Sequence, residues 1–523
     1  MKTALNFLGI ALLLFSCGSS NNSKQVKNKV PADPTVYGNT ITSEELKELL
    51  YTYASDEFEG RETGEPGQKK AVNFLKENYM SLEISSPLSG DDYFQEVPLT
   101  RQKAPMVSLK VNGVDFEYFT DYLVLGSAET QDINFKEIVY AGYGIDAENY
   151  SDYKNLDVQG KVVLIKSGEP TDDAGNFVTT GTTEATKWST GRTSLLSKRD
   201  AAKSHGAKAL LFLNDDMIAQ YGPYYKNAAE SGAAGRISLK SNEPEMLFVM
   251  IGQKFGQAIY PEVMTTDAPK ALESSISGKI TSQSDEVSSE NVVAFLKGSE
   301  KPDEIVVISA HLDHEGIKDG QVYNGADDDG SGTVAILEIA EAFKAAADDG
   351  YTPKRSLLFL HVTGEEKGLL GSRHYTDNDP IFPLENTVAD LNIDMIGRID
   401  PKREGDRNYV YLIGSDKLST ELHNLSEEVN TKYTNITLDY TYNDDNDPNR
   451  FYYRSDHYNF AKNNIPVIFY FNGTHDDYHQ PGDTPDKIEY DLLENRTRLV
   501  FYTAWEIANR EARLVVDKAT EEE

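Results

Sequence analysis

A single cysteine, Cys17, stands in 523 residues, and it lies close to the amino terminus. The rest of the chain has no thiol for a disulfide or a thiolate metal site. Basic charge is also scarce. Fifty-one Lys and Arg against 85 Asp and Glu leave a formal net charge of −34, which argues against a broad affinity for nucleic acid or anionic lipid. The one long apolar run, Ala4 to Phe15, is too short for a stable membrane-spanning helix. No His-Glu-x-x-His zinc helix, Gly-x-Ser-x-Gly elbow or phosphate-binding glycine loop occurs. What is present is ordinary globular composition, 39% hydrophobic and 10% aromatic, with length for two or three domains.

Lys2, the apolar run and Leu14-Phe15-Ser16-Cys17-Gly18 read as a targeting segment. The stretch resembles the lipobox of bacterial lipoproteins. The resemblance implies export, with residues 1–17 as the signal, Cys17 lipidated and the body anchored to the cell envelope. Residues 18–40 are polar and aperiodic, the texture of a linker. A helix is expected over Ile41 to Tyr53. Asp56 to Gly67 reads, residue by residue, as a surface loop before a second helix, Gln68 to Tyr79.

From 113 to 275 short apolar runs (Ile138 to Ala141, Lys161 to Lys166, Ala209 to Leu213, Met246 to Ile251) alternate with turns and one helix, Leu195 to His205. This is a β-rich insert dividing a first part, 41–112, from a second, 276–515, ahead of an acidic tail, 516–523. In the second part, strands at Ile305 to Ile308, Ser356 to His361, Leu391 to Ile393 and Ile465 to Phe471 alternate with helices such as Thr333 to Phe343 and Ser419 to Val429. Such alternation predicts an α/β domain with a mostly parallel central sheet flanked by helices.

Acidic and imidazole residues fall just past these strands: His311 and Asp313, then Asp327-Asp328-Asp329, then Glu365-Glu366, Asp394 and Tyr478-His479. Ligands of open α/β sheets gather at the carboxyl ends of strands. Neighbouring parallel strands would therefore bring His311, Asp328, Glu365, Glu366, Asp394 and His479 to one rim. Three successive aspartates repel one another unless a cation neutralises them. Histidine and carboxylate without cysteine suit zinc, and cobalt or manganese fit the same groups. The excess of carboxylate suggests two ions sharing one bridging carboxylate. Taken singly, each cluster is a solvated turn or a helix cap. Tyr440 to Tyr453 is acidic enough to suggest a calcium loop, but Pro448 replaces the turn glycine of such a loop and no glutamate closes it.

His311-Leu312-Asp313, Gly325-Ala326-Asp327-Asp328-Asp329-Gly330-Ser331-Gly332, Glu365-Glu366, Asn392-Ile393-Asp394-Met395, and Tyr478-His479 before Asp483-Thr484-Pro485-Asp486-Lys487 occur in that order. The pattern resembles the co-catalytic di-zinc aminopeptidases of peptidase family 28, related to glutamate carboxypeptidase and transferrin receptor. It extends to Glu59-Gly60-Arg61 with Thr63-Gly64. Tyr140-Ala141-Gly142-Tyr143-Gly144 and Gly160-Lys161-Val162-Val163-Leu164 resemble a protease-associated (PA) domain. The resemblance implies a zinc-exopeptidase fold of the phosphorylase/hydrolase-like type, two zinc ions and a peptide substrate. Asp328 would bridge the ions, His311 and Asp394 completing one and Glu366 and His479 the other. Glu365 would be the general base at a water shared by the ions, Asp313 would accept the second imidazole hydrogen of His311, and Tyr478 would donate to the oxyanion. A cis peptide is expected at Asp328-Asp329, and a supporting role for His457. Within the family a carboxypeptidase or dipeptidase would show a basic clamp, for which Arg398, Arg450 and Arg454 are available. A single-zinc cyclase of amino-terminal glutamine lacks one of the ligand sets present here. A non-catalytic receptor on the same fold is the alternative of a different class. The sequence carries no signal for oligomeric state.

Overall fold

A computed structural model describes residues 32–518 apart from 127, 232–234 and 241–245. Cys17 with its lipobox-like segment, most of the 18–40 linker and the end of the 516–523 tail lie outside the described residues.

The apolar runs become strands because each is rich in Val, Ile, Leu and Phe and is covered on both faces. In chain order the central sheet contains β1 (Phe94–Gln102), β2 (Arg236–Leu239), β3 (Asp285–Leu296), β4 (Lys301–His311), β5 (Arg355–Val362), β6 (Thr387–Ile393), β7 (Tyr409–Ile413), β8 (Thr437–Asp439) and β9 (Val467–Phe471), arranged β2-β1-β3-β5-β4-β6-β9-β7-β8. The four central strands β5, β4, β6 and β9 run parallel, as the alternation predicts. The flanks add antiparallel pairings, β3 on β5 and β7 on β9, so the complete sheet is mixed. Val306 and Ile308 point into one core layer, Ile305 and Val307 into the other. That alternation, together with parallel pairing, sets the carboxyl ends of β4, β5, β6 and β9 side by side.

Helices cover the first layer: α1 (Ser43–Tyr53), α2 (Pro66–Ser81), α3 (Gly332–Asp348) and α4 (Tyr490–Asn509). α1 opens with a reciprocal cap in which Thr42 accepts from the Glu45 N–H and donates to the Glu45 carboxylate. α3 begins immediately after the acidic loop, so its packing on the sheet positions that loop. Packed structure starts before residue 41, inside the expected linker. Pro34–Gly38 is a short helix whose Tyr37 stacks on Trp505 at 5.9 Å between ring centroids.

Residues 106–281 build a six-stranded, a four-stranded and a two-stranded sheet. In the six-stranded one, Ile138–Tyr140, Val162–Lys166, Ala209–Leu213 and Leu247–Ile251 are parallel, with Lys270–Leu272 and Tyr122–Leu125 antiparallel at the edges. β2, by contrast, lies within the insert's sequence yet pairs with β1 at the edge of the central sheet. Its alternation is too short to reveal that partner. Among the described residues no helix is long and apolar enough to cross a membrane.

The Glu338 carboxyl is buried with no compensating cation among the described residues. Glu338 of α3 is 3% exposed, and burial, helped by Glu45 and Glu341, pushes its pKa up to about 8. A carboxyl whose folded pKa lies above its unfolded value opposes folding once ionised. The penalty is absent below about pH 4.5 and grows as pH rises towards 8. Glu338→Gln is therefore expected to stabilise the chain by roughly 2–4 kcal/mol at pH 8 and to be neutral near pH 4, read by denaturant unfolding at both pH values.

Candidate metal centre

The acidic loop resolves its own repulsion by sending three carboxylates three ways. Asp329 turns inward and accepts from the backbone N–H groups of His311 (3.3 Å), Gly332 (2.9 Å) and Met395 (3.1 Å). Asp327 accepts from Gly397 N–H at 2.6 Å and Asn472 Nδ2 at 3.0 Å, with His475 Nε2 at 3.1 Å. Asp328, joined to Asp329 by a cis peptide as expected, faces the rim. Its own N–H and that of Asp327 donate to the buried Asp483 carboxylate.

Around Asp328 the predicted ligands converge. His311 Nε2 lies 3.1 Å from Asp328 Oδ1 and 3.6 Å from Asp394 Oδ1. His479 Nε2 lies 3.1 Å from Asp328 Oδ2 and 3.2 Å from Glu366 Oε2. Asp328 therefore offers one oxygen to each half of the cluster. Ser455 Oγ donates to Asp394 Oδ2 at 2.7 Å and fixes the orientation of that carboxylate.

A third imidazole belongs to the second half. His314 is fully buried, with Nδ1 2.9 Å from Glu366 Oε1 and 3.8 Å from Asp328 Oδ2. Sequence reading left this residue without a role, because nothing in a His-x-Asp-His spacing tells which imidazole follows the strand's turn. His457, expected to support the site, is buried and stacked on Phe469 at 4.8 Å between ring centroids, and burial lowers its pKa to about 3. It is a neutral packing ring. The carboxylates of the acidic segment 440–453 have protein partners, Asp447 accepting from Asn449 and Phe451 N–H and Asp445 pairing with Lys417.

Gly364 at φ +69° breaks the strand geometry after β5 and lets the two glutamates diverge. Glu366 turns to His314 and His479. Glu365 lines a cavity of about 30 Å³ with Asp328, Asp394, Tyr478 and the apolar side chains of Met395, Phe451, Phe469 and Phe471. Burial holds the Glu365 carboxyl well above its ordinary range; His311 opposes this, while Glu366, Asp394 and Asp456 add to it. The Tyr478 ring stacks on His479 at 3.9 Å, and burial beside these carboxylates pushes its phenol up, so it keeps its proton as a donor.

Asp313 corrects an expectation. The His311 Nδ1 partner is the main-chain carbonyl of Asp313 at 3.0 Å, not its carboxylate. The carboxylate accepts from Thr63 Oγ1 at 2.6 Å and from the Glu365 N–H at 3.1 Å. With the carboxylate committed to those two donors, the carbonyl serves the ring nitrogen. Arg61 overturns the surface-loop reading of its segment. It is fully buried, and its guanidinium donates to the carbonyls of Leu312 (3.2 Å), Tyr53 (3.3 Å), Asn324 (2.7 Å) and Gly325 (2.9 Å). One side chain thus ties the His311 strand end to the start of the acidic loop. The repeated turn residues around it concealed this, and only the family resemblance of Glu59-Gly60-Arg61 pointed to it.

The donor set fits a divalent metal. His311 Nε2, both nitrogens of His314, Asp328 Oδ2 and Glu366 Oε1 are buried without a hydrogen-bond partner; left so, each would cost about 1–3 kcal/mol. Burial and Asp328 raise the pKa of Glu366, but His314 and His479 outweigh them and bring it to about 2. Burial opposes charge on His479, yet Asp328 and Glu366 push it to about 10. Such mutual stabilisation marks carboxylates that demand positive charge, and all the donors are nitrogen or oxygen, as zinc accepts.

Residues 291–504 match the profile of Peptidase family M28. Residues 291–504 are a peptidase family M28 domain. Residues 134–259 match the PA domain, within the insert. The chain is 26% identical over 322 residues to Aminopeptidase YwaD of Bacillus subtilis (strain 168), covering 58% of this chain and 57% of that protein. It is 31% identical over 105 residues to the Probable glutamate carboxypeptidase LAMP1 of Arabidopsis thaliana, covering 20% of this chain and 14% of that one. These alignments thus span less than two thirds of either relative. Among solved structures, an aminopeptidase from Aneurinibacillus sp. strain AM-1 is 19% identical with a TM-score of 0.46, over 93% of this chain and 98% of that one.

His314→Ala is expected to weaken zinc retention by roughly 10–100-fold in a chelator competition, whereas His457→Ala leaves it unchanged. Equal retention by both variants would remove His314 from the M28 centre.

Proposed function

We propose that the chain is a di-zinc aminopeptidase that removes amino-terminal residues from peptides. The observation that carries this is the split of Asp328, Oδ1 lying 3.1 Å from His311, which also faces Asp394, and Oδ2 lying 3.1 Å from His479 and 3.8 Å from His314, which both face Glu366. His311, Asp328 and Asp394 would hold one ion and Asp328, Glu366 and His479 the other, with His314 beside the second. When bound, the ions supply Lewis-acid polarisation of the scissile carbonyl and of the attacking water.

The protein's own groups do the rest. Glu365 lies in the same cavity as Asp328 and Asp394 without facing an imidazole, so its carboxylate is free to take a proton from water and return it to the leaving amine. Asp313, by accepting the Glu365 N–H, and Thr63, by donating to Asp313, fix the turn that aims the base. Tyr478 keeps its proton and donates to the developing oxyanion. Met395, Phe451, Phe469 and Phe471 make the wall of that cavity apolar beside the carboxylates. The acidic rim favours an ammonium group over a carboxylate at the substrate's end. The name of one relative, the aminopeptidase YwaD, supports this reading. Arg454, with Nη2 3.4 Å from the Tyr478 hydroxyl, favours one second reading, a carboxypeptidase that holds a terminal carboxylate there, and the name of LAMP1, a probable glutamate carboxypeptidase, supports that one. Export and a lipid anchor at Cys17 are proposed on the lipobox-like sequence.

The test compares aminoacyl nitroanilides and dipeptides, free and acetylated, with and without chelator, in membrane and soluble fractions of expressing cells. Chelator-sensitive hydrolysis confined to free amino termini is expected, shifting to the soluble fraction in Cys17→Ala. Glu365→Gln should lower kcat by on the order of 10²–10⁴ while retaining metal. Hydrolysis of acetylated peptides that requires a free carboxylate would favour the Arg454 reading, and activity indifferent to chelation would refute both.

A further inference from the structure

The PA-containing insert holds a cavity that none of the groups above touches. A space of about 540 Å³ opens beside the helices Gly191–Ser204 and Asp215–Ser231, within the size range of ligand pockets. Leu195, Met217, Phe248 and Met250 give it an apolar floor. A second space of about 440 Å³ shares Gly126, Tyr225 and Arg236 with the first, so together they form one elongated groove.

Charge indicates what class of ligand fits. Four cations, Arg192, Arg199, Lys203 and Arg236, line the larger space against one acid, Asp200, in a chain of net charge −34. Arg199 pairs with Asp200 at 2.7 Å. Among the described residues Arg192, Lys203 and Arg236 have no ion-pair partner. Arg192 and Arg236 line this space together with Tyr221 and Tyr225. Tyr221 and Tyr225 remain 37% and 36% exposed. Aromatic surface beside unpaired cations is a recognition surface rather than a solvated face.

Shape favours an extended ligand over a compact one. Leu125 ends Tyr122–Leu125, the outer strand of the six-stranded sheet, and Arg236 starts β2, the outer strand of the central sheet. β2 pairs with β1 on one side, whereas Tyr122–Leu125 pairs with Leu247–Ile251 and also bridges Tyr118 at Tyr122. The groove thus passes the edge of β2, whose main-chain groups can meet an extended backbone. We propose that this groove binds an extended peptide segment in which acidic side chains alternate with aliphatic or aromatic ones. Its carboxylates meet the cationic rim and its apolar side chains meet the Leu195 and Met250 floor. The proposal stands apart from the peptidase reading, since such a segment needs no free terminus.

The experiment uses the full chain with chelator present, so that the probe is not cleaved. Fluorescence anisotropy follows a labelled, amino-acetylated peptide of sequence Glu-Leu-Asp-Tyr-Glu-Leu-Asp. A parallel peptide carries Lys at every acidic position, and dodecanoate serves as a compact apolar anion. Saturable binding of the acidic peptide is expected, weakening about tenfold between 50 and 300 mM salt and about tenfold in Arg192→Glu/Arg236→Glu. Lys203→Glu, at an exposed position, should weaken it about threefold and gives the same comparison if the double variant fails to fold. No saturation, equal binding of the lysine peptide, indifference to the charge reversals, or binding of dodecanoate alone would each overturn the proposal.

Discussion

Electrostatic repulsion among Asp327, Asp328 and Asp329 is the constraint on which the site's architecture turns. The protein relieves it by direction. Asp329 accepts from three backbone N–H groups, Asp327 accepts from Gly397 and Asn472 beside His475, and Asp328 faces the imidazoles. None of this works unless the loop is held from outside. Asp483 takes two of its N–H groups, and Arg61 clamps its first carbonyls to the end of β4. The buried guanidinium satisfies four carbonyls at once, which is why a lysine at that position would not replace it.

That frame explains why distant segments are needed for one small cavity. Thr63, before α2, donates to Asp313, and Asp313 in turn receives the Glu365 N–H. The orientation of the proposed base is therefore set by a residue more than three hundred positions away in the chain. Asp394 is oriented in the same manner by Ser455. The parallel run β5-β4-β6-β9 supplies the common edge, and short hydrogen bonds between loops supply the aim.

Much of this was legible in the sequence, for physical reasons that differ by element. Ile305 to Ile308, Ser356 to His361 and Ile465 to Phe471 are doubly buried strands whose composition leaves few alternatives, and placing acids and imidazoles past their ends located the rim. The glycine before Glu365-Glu366 allowed the pair to diverge, as it does. Three things were hidden. β2 carries too few residues to announce a partner 130 positions earlier in the chain. Arg61 sits among turn residues that suggest solvent exposure, and only its carbonyl partners, distant in sequence, reveal its burial. The choice between the Asp313 carboxylate and its carbonyl as partner of His311 depends on a backbone turn that no side-chain pattern records.

The central claim is that Asp328 is shared between two metal ions. Anomalous scattering at the zinc absorption edge, from crystals of the protein grown with zinc, tests it most directly. The account predicts two peaks, one among His311, Asp328 and Asp394, the other among Asp328, Glu366 and His479. A single peak, or none at this cluster, would contradict it.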